Sequence, residues 1–157
     1  MADCIQALIT SNLLTALRTV TVLNGYNTDC GTVEEMRTIF SFPDSDPFTL
    51  VQLLPKDVSD DFQHTEDDIV RYEVFHFSGE NDDRGSDPIQ FASRNVAADF
   101  QKAIMTDRTR GGYAQNTEIE TAGNGVFSDS SGNLIPCTYL QIKVQVLINA
   151  DNPYELG

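Results

Sequence analysis

Carboxylates are the side chains best placed to do chemistry in this sequence, and six of them fall within residues 57–68. Asp60-Asp61 and Glu66-Asp67-Asp68 flank His64. They could converge on a divalent cation, because hard cations prefer several oxygen ligands. The spacing lacks the glycine and the terminal glutamate of a calcium-binding loop. We therefore expect a solvated acidic loop at 57–68 and another at 79–88, with a cation site as the alternative.

His76 is the other candidate for acid–base chemistry. It lies in the apolar run VFHF, which is typical of a strand. A catalytic base needs a nucleophile or a carboxylate partner, and the sequence places none beside it. No serine elbow, zinc-protease or Cys–His motif occurs either. We expect His76 to be a packing residue in a protein that is not an enzyme and carries no cofactor.

The stretch TRGGYA contains a glycine pair, Gly111-Gly112, between a predicted helix and a predicted strand. A phosphate-binding loop needs the reverse order, so the pair is expected to form a helix C-cap and a tight exit. Arg108, Arg110 and Tyr113 cluster here in a chain with few basic residues. The arginines could interact with the helix C-terminal dipole, or the cluster could contact the acidic loops of a neighbouring subunit.

The charge balance limits the possible partners. With 10 basic and 24 acidic residues, the chain carries a net charge of −14 and should repel nucleic-acid phosphates and anionic lipid. Cys4, Cys30 and Cys137 are far apart with no CxxC pair, which predicts free thiols. The N-terminal apolar residues are interrupted by polar ones, so we do not expect them to act as a signal sequence, and no apolar run is long enough to span a membrane. We expect a soluble protein made inside a cell.

Hydrophobic periodicity predicts two amphipathic helices in a single domain, residues 1–157. The first covers about five turns up to residue 20, before the stop signal Asn24-Gly25. The second begins behind Asp87, its predicted cap, with Pro88 in the first turn. Its apolar stripe consists of Ile89, Ala92, Val96, Phe100, Ala103 and Ile104.

Strand signals fall between and after the helices. Residues 32–40 and 48–54 are predicted to form a hairpin around a Pro- and Asp-rich turn. Further strands are expected at 68–79 and 117–123, with a turn or hairpin loop at 124–133 before the closing strand. This order favours an α+β fold, with one mainly antiparallel sheet of about five strands and two helices packed on one face.

The closing strand has the clearest pattern in the sequence. Leu140, Ile142, Val144, Val146 and Ile148 alternate with Tyr139, Gln141, Lys143 and Gln145. This period of two predicts one face in the core. The other face is amide-rich. It is either simply solvated or, together with Arg108, Arg110 and Tyr113, part of a subunit interface.

The order of several segments resembles the tail-terminator and tail-completion proteins of long-tailed bacteriophages. These segments are the first helix ending in NGY, the PF that opens a strand, the run ADFQKAIMTDRTRGGYAQNTEI, and the last strand running into NPY. The resemblance extends weakly over nearly the whole chain. Residues 99–119 and the closing strand with Asn152-Pro153-Tyr154 carry most of it.

The resemblance implies a structural virion protein at the head-proximal end of the tail, assembled in the host cytoplasm. Such a subunit forms a hexameric ring, stops polymerisation of the tail tube protein and joins the head through the connector. DNA would pass through the lumen without specific binding, and repulsion from acidic walls would suit that passage. The alternatives are a neck or other minor tail protein, a small cation- or ligand-binding module, and, least favoured, an enzyme using carboxylates.

Overall fold

A computed structural model describes residues 3–36, 47–54, 65–77, 88–128, 131–132, 134–149 and 152–156. Within these residues, two helices and six strands follow one another in sequence. Their bounds are α1 Ile5–Arg18, β1 Thr32–Glu35, β2 Phe48–Leu53, β3 Thr65–Phe77, α2 Pro88–Thr106, β4 Asn116–Ser128, β5 Leu134–Asn149 and β6 Asn152–Leu156. The predicted α+β class and the predicted order of elements are confirmed, and β6 is an additional strand.

The sheet has the strand order β1-β2-β3-β5-β4 and is antiparallel except at one edge. There β1 runs parallel to β2, with Thr32 opposite Phe48. The predicted hairpin between these two segments is therefore wrong, because hairpin strands are antiparallel whereas parallel strands need a crossover. The predicted strand residues 37–40 and the turn before β2 lie outside the described residues.

The strand β6 pairs with the C-terminal end of β5, where Asn152 lies opposite Asn149. The other edge of β5 is occupied there by β3. The strand β6 therefore continues the β4 side of the sheet beyond the start of β4. The described sheet therefore has one short strand, β6, more than the five strands predicted from sequence.

Three of the acidic residues assigned to a loop, Glu66, Asp67 and Asp68, belong instead to the start of β3. The first four residues of β3, Thr65, Glu66, Asp67 and Asp68, pair with the C-terminal end of β5. Residues 55–64 and 78–87, which hold the remaining acidic segments and His64, lie outside the described residues. On the other side of α2, β4 extends to Ser128 and so includes part of the predicted loop at 124–133.

The helix α1 is shorter than expected. It ends at Arg18, and a separate 3-10 turn, Val22–Asn24, follows before Gly25 adopts φ 81°. The Asn24-Gly25 signal thus ends the 3-10 turn and does not end α1. The hydroxyls of Thr10 in α1 and Tyr72 in β3 share a buried hydrogen bond of 2.9 Å, which fixes the helix against the sheet.

The helix α2 begins at Pro88 as predicted, and Asp87 lies outside the described residues. Its buried Asp99 accepts four hydrogen bonds from the connector that follows α1. The donors are the backbone and side-chain amides of Asn27 and the amide and hydroxyl of Thr28, at 2.8–3.2 Å. A carboxylate with this many donors is well compensated for burial. Asp99 therefore ties α2 to the segment leading into β1.

Both helices pack on the same face of the sheet, as predicted. The core between them contains alternate residues from the strands and one stripe from each helix. Its largest members are Ile9, Leu13, Leu17, Val51, Tyr72, Phe100, Ile104, Leu140 and Ile142. The sequence left open which face of β3 is buried. The structure shows that the buried face is the one with Val70, Tyr72, Val74 and His76.

All three cysteines are free, as expected, with Cys30 and Cys137 buried. Burial raises the pKa of both buried thiols. Among the helices that the structure describes, none has the length and apolar character needed to cross a bilayer.

Candidate subunit interface

The sheet face turned away from both helices, called here the outer face, carries the side chains predicted from the closing strand. Tyr139, Gln141, Lys143 and Gln145 lie together on this face and are all half-buried. The alternation therefore places them as expected, because their neighbours Leu140, Ile142, Val144 and Val146 are completely buried against the helices. Whether the outer face meets another subunit remains a prediction.

Polar side chains from three strands form a paired network across the centre of the outer face. Gln141 Nε2 donates to Glu73 Oε1 at 3.0 Å, linking β5 to β3. Lys143 Nζ lies 3.6 Å from Glu118 Oε2 on β4. Arg71 Nε donates to Glu120 Oε2 at 3.1 Å, so β3 and β4 are connected across β5.

The charges of this network nearly cancel, although the chain as a whole is strongly acidic. Two cations, Arg71 and Lys143, stand among three carboxylates, Glu73, Glu118 and Glu120. Partly exposed pairs of this kind contribute little to stability, on the order of 0–1 kcal/mol each. Their main effect is electrostatic, because they leave the centre of the outer face close to neutral.

One end of the outer face is apolar. The ring of Tyr139 lies across Gly123 and Gly125 of β4, and a Cβ added at Gly125 would come within 3.2 Å of the ring. Next to it is a second apolar cluster made of Phe48, Leu50, Phe77 and Cys137, with Met36 and Phe75 packed against it. The outer face therefore has a polar, charge-balanced centre, and the apolar cluster at its end is buried.

The other predicted interface residues lie elsewhere, in the loop between α2 and β4. Arg108 is exposed, whereas Tyr113 is half-buried and packs against the core between the helices and the sheet. The structure thus separates the predicted set into two groups that belong to different sides of the sheet. It does not bring them together into one patch.

Arg110 departs from the sequence expectation of a surface contact. Its side chain is 0% exposed, so it has no surface to offer a neighbour. Its guanidinium donates through Nη2 to the carbonyl of Ile104 in the last turn of α2, which agrees with the alternative interpretation of a helix C-terminal contact. Burial lowers the pKa of Arg110, and the charge of Asp107 opposes that effect.

The loop that holds Arg110 is built around Asp107. Its carboxylate accepts hydrogen bonds from the amide and hydroxyl of Thr109 and from the amide of Gly111, at 2.6–3.0 Å. Burial alone would raise the pKa of Asp107, but these hydrogen bonds and the charge of Arg110 lower it. Arg110, Gly111 and Gly112 adopt φ values of 50°, 74° and 89°. The glycines therefore form a left-handed exit turn, not the predicted helix C-cap, because α2 already ends at Thr106.

His76 lies in the core, almost completely shielded from solvent. It is 2% exposed, and its ring meets Phe100 edge-on at 5.4 Å. The Thr49 hydroxyl donates to the Cys30 carbonyl at 2.7 Å, so His76 Nδ1–H donates to Thr49 Oγ1 at 3.0 Å. Burial lowers the pKa of His76 to about 4. His76 is a neutral packing residue at neutral pH, as the sequence predicted.

The described residues contain no group of three or more His, Cys, Asp or Glu side chains arranged to hold a metal ion. Most of the acidic segment considered for cation binding lies outside those residues.

Two features of the site were missed by sequence reasoning. The cross-strand network of Arg71, Glu73 and Glu118 depends on register, which puts Arg71 opposite Lys143 and Glu73 opposite Gln141. The alternation of charged residues within β3 was visible in the sequence. It could not be interpreted as a network without knowing which strands pair with β3. The burial of Arg110 had no signal in the sequence.

Sequence comparison assigns no family to this chain, because no protein-family model and no curated protein matches it.

Proposed function

We propose that this protein is a structural assembly subunit that acts by self-association, and that its role is that of a bacteriophage tail terminator. The observation that carries the proposal is the charge balance on the outer face. Copies with a net charge of −14 repel one another unless they meet where charge is locally matched. The centre of the outer face, with its two cations and three carboxylates, is such a place.

A closed ring repeats one heterologous contact, so each copy must offer two different surfaces. The outer face is one candidate. The exposed Arg108 and the half-buried Tyr113, in the loop between α2 and β4, are a candidate for the other. Arginine and tyrosine are enriched at interfaces, and the cation of Arg108 would be drawn to the carboxylates of a neighbouring copy.

The area of the outer face is too small to form a stable interface by itself. Three strands at about 4.8 Å spacing and about eight residues of about 3.3 Å each span roughly 400 Å² in projection. A standard stable interface uses about 800 Å² from each partner. Flanking segments or the loop group must therefore add about as much contact as the strands do.

The remaining negative charge suits the rest of the proposed role. A ring at the head-proximal end of the tail would contact the tube protein below and the connector above, and DNA would pass through its lumen. Acidic walls would repel the DNA backbone and keep it from adhering. The expected location is the virion, after assembly in the host cytoplasm.

Electron microscopy of phage particles made without this protein tests the proposal. Loss of a terminator gives tails of uncontrolled length without heads, and supplying the wild-type chain restores uniform, head-bearing tails. Tails of normal length that lack heads would instead identify a neck protein. Normal particles would refute a role in tail assembly.

A matched pair of variants tests whether the outer face is the contact surface. Gln145→Glu adds a fourth carboxylate to the outer face, whereas Gln101→Glu adds the same charge to an exposed position on α2. We expect Gln101→Glu to restore normal tails and Gln145→Glu to fail, because only Gln145→Glu makes the outer face repel another copy; both proteins should be folded by circular dichroism. Equal rescue by the two variants would remove the outer face from the proposal.

A further inference from the structure

The groove between α1 and the edge strand β1 has the features of a peptide-binding site. It has a volume of about 640 Å³ and is lined by Leu14 and Arg18 of α1 and by residues 31–36. This volume lies in the range of small-ligand sites, roughly 300–1,000 Å³. The groove lies at the β1 edge of the sheet, away from the β3, β5 and β4 strands that form the centre of the outer face.

The backbone of β1 has hydrogen-bonding groups directed into this groove. Thr32 N–H donates to the Pro47 carbonyl and Met36 N–H donates to the Val51 carbonyl, so the even-numbered residues bond to β2. In a parallel ladder, the groups of the alternate residues, Val33 and Glu35, then point away from β2. No strand among the described residues pairs with this edge.

Arg18 already binds one of these outward-pointing groups, the carbonyl of Val33. Its Nη2 donates to the Val33 carbonyl at 3.1 Å, as an incoming strand would. The guanidinium thus satisfies an acceptor that an edge strand would otherwise leave to solvent. Among the described residues, nothing pairs with the N–H groups of Val33 and Glu35 or with the Glu35 carbonyl, which point in the same direction.

The side chains around the groove define the charge of a suitable partner. Glu34 is half-buried, Glu35 is exposed, and the described part of the lining contains one cation, Arg18. Leu14 and Met36 add half-buried apolar surface. The strongly negative charge of the chain opposes a second copy here and favours a cationic partner.

We propose that β1 binds an extended, basic segment of a partner protein by strand addition, with the segment lying in the groove against α1. Backbone hydrogen bonds to Val33 and Glu35 hold the segment, lysine or arginine side chains on one face of the added strand meet Glu34, and apolar side chains on the other face contact Leu14. The four residues of β1 span about 13 Å, so the bound segment is about four to six residues long.

Synthetic peptides test this binding on the full chain. The probe is a labelled six-residue peptide of alternating lysine and valine, followed by fluorescence anisotropy and by amide shifts of Val33 and Glu35 in ¹⁵N-labelled protein. We expect saturable binding with shifts centred on these two amides. A glutamate–valine peptide should bind at least about tenfold more weakly, because its charges face carboxylates. The same loss is expected for a lysine–valine peptide N-methylated at alternate nitrogens, which cannot pair.

Substitutions separate the backbone contribution from the charge contribution. Glu35→Pro removes an outward N–H without touching the bonds to β2, and we expect about tenfold weaker binding. Its matched control, Glu35→Gln, keeps the N–H and should lose only about two- to fivefold at low salt. Arg18→Ala frees the Val33 carbonyl and removes a like charge, so it should tighten binding. Thermal unfolding of each variant checks its fold. If Glu35→Pro does not fold, the N-methylated peptide with the wild-type chain decides the same point.

Several results would overturn the proposal. These are no binding at millimolar peptide, equal binding of the N-methylated peptide, or amide shifts centred away from β1. Self-association that Glu35→Pro abolishes, without any peptide binding, would show that a second copy is the occupant. This site is independent of the outer face, so a failed peptide experiment would leave the proposed assembly role untouched.

Discussion

The buried His76 makes the stability of this protein depend on pH in a defined window. In the folded state its pKa is lowered to about 4 by burial, whereas a histidine in an unfolded chain titrates near 6.5. The unfolded chain therefore takes up a proton first as the pH falls. The contribution of neutral His76 is fully present above about pH 6.5 and is lost as the pH falls toward 4.

The size of the effect follows from the two pKa values. Each pH unit between them is equivalent to about 1.4 kcal/mol, so the total loss is about 3 kcal/mol. Typical domains have only about 5–15 kcal/mol of folding free energy, which makes this loss easy to measure. The structural reason is that a proton on His76 would place a charge in the core beside Phe100.

Urea unfolding followed by circular dichroism at pH 7, 6, 5 and 4.5 measures this dependence. His76→Gln is the matched control, because it keeps a donor for Thr49 Oγ1 but cannot titrate. Carboxylates and His64 titrate in both proteins and cancel in the difference. We expect the wild type to lose about 1.4 kcal/mol more per pH unit than the variant. Parallel free-energy curves for the two proteins would refute the reasoning.

Two substitutions probe contacts that position β1. Asp99→Ala removes the acceptor of four hydrogen bonds from Asn27 and Thr28, so it should lower the free energy of unfolding by about 3–5 kcal/mol. Asp99→Asn should lower it by less. A loss below about 1 kcal/mol for Asp99→Ala in urea unfolding would contradict the assignment. Gly31→Ala should lower the free energy of unfolding by about 2 kcal/mol or more, because Gly31 has φ 65° and a Cβ there would overlap the Pro47 carbonyl. Stability close to that of the wild type in urea would show that Gly31 does not approach Pro47 this closely.

The elements with strong local periodicity were predictable from sequence. The strand β5 alternates cleanly, and its inward residues from Leu140 to Val146 are all buried. The stripe on α2 and its start at Pro88 were equally clear. In these segments local pattern and tertiary burial agree, so a single sequence contains enough information to locate the core.

Pairing between distant segments was not predictable in the same way. The parallel contact of β1 with β2 and the return of β6 onto β5 depend on which edges meet in space. Hydrophobic period specifies a face of a strand but not its partner or direction. The same limit applies to the outer-face network, since Lys143 and Glu118 become neighbours only through register.

Loop residues were the least predictable part of the candidate site. Arg108 and Arg110 are two positions apart and look alike in sequence, yet one is exposed and the other is completely buried. The difference comes from the turn built on Asp107, which directs Arg110 back to the end of α2. Such a reversal has no periodic signature.

Sedimentation velocity, with native mass spectrometry to count copies, tests the central claim most directly. The wild-type chain should form a closed ring of one size, at high concentration or when tail tubes are supplied. Gln145→Glu should abolish the ring, because it adds a fourth carboxylate to the outer face, whereas Gln101→Glu should leave the ring intact. A chain that stays monomeric at every concentration and with tubes present, or a ring that both variants form equally well, would contradict assembly through the outer face.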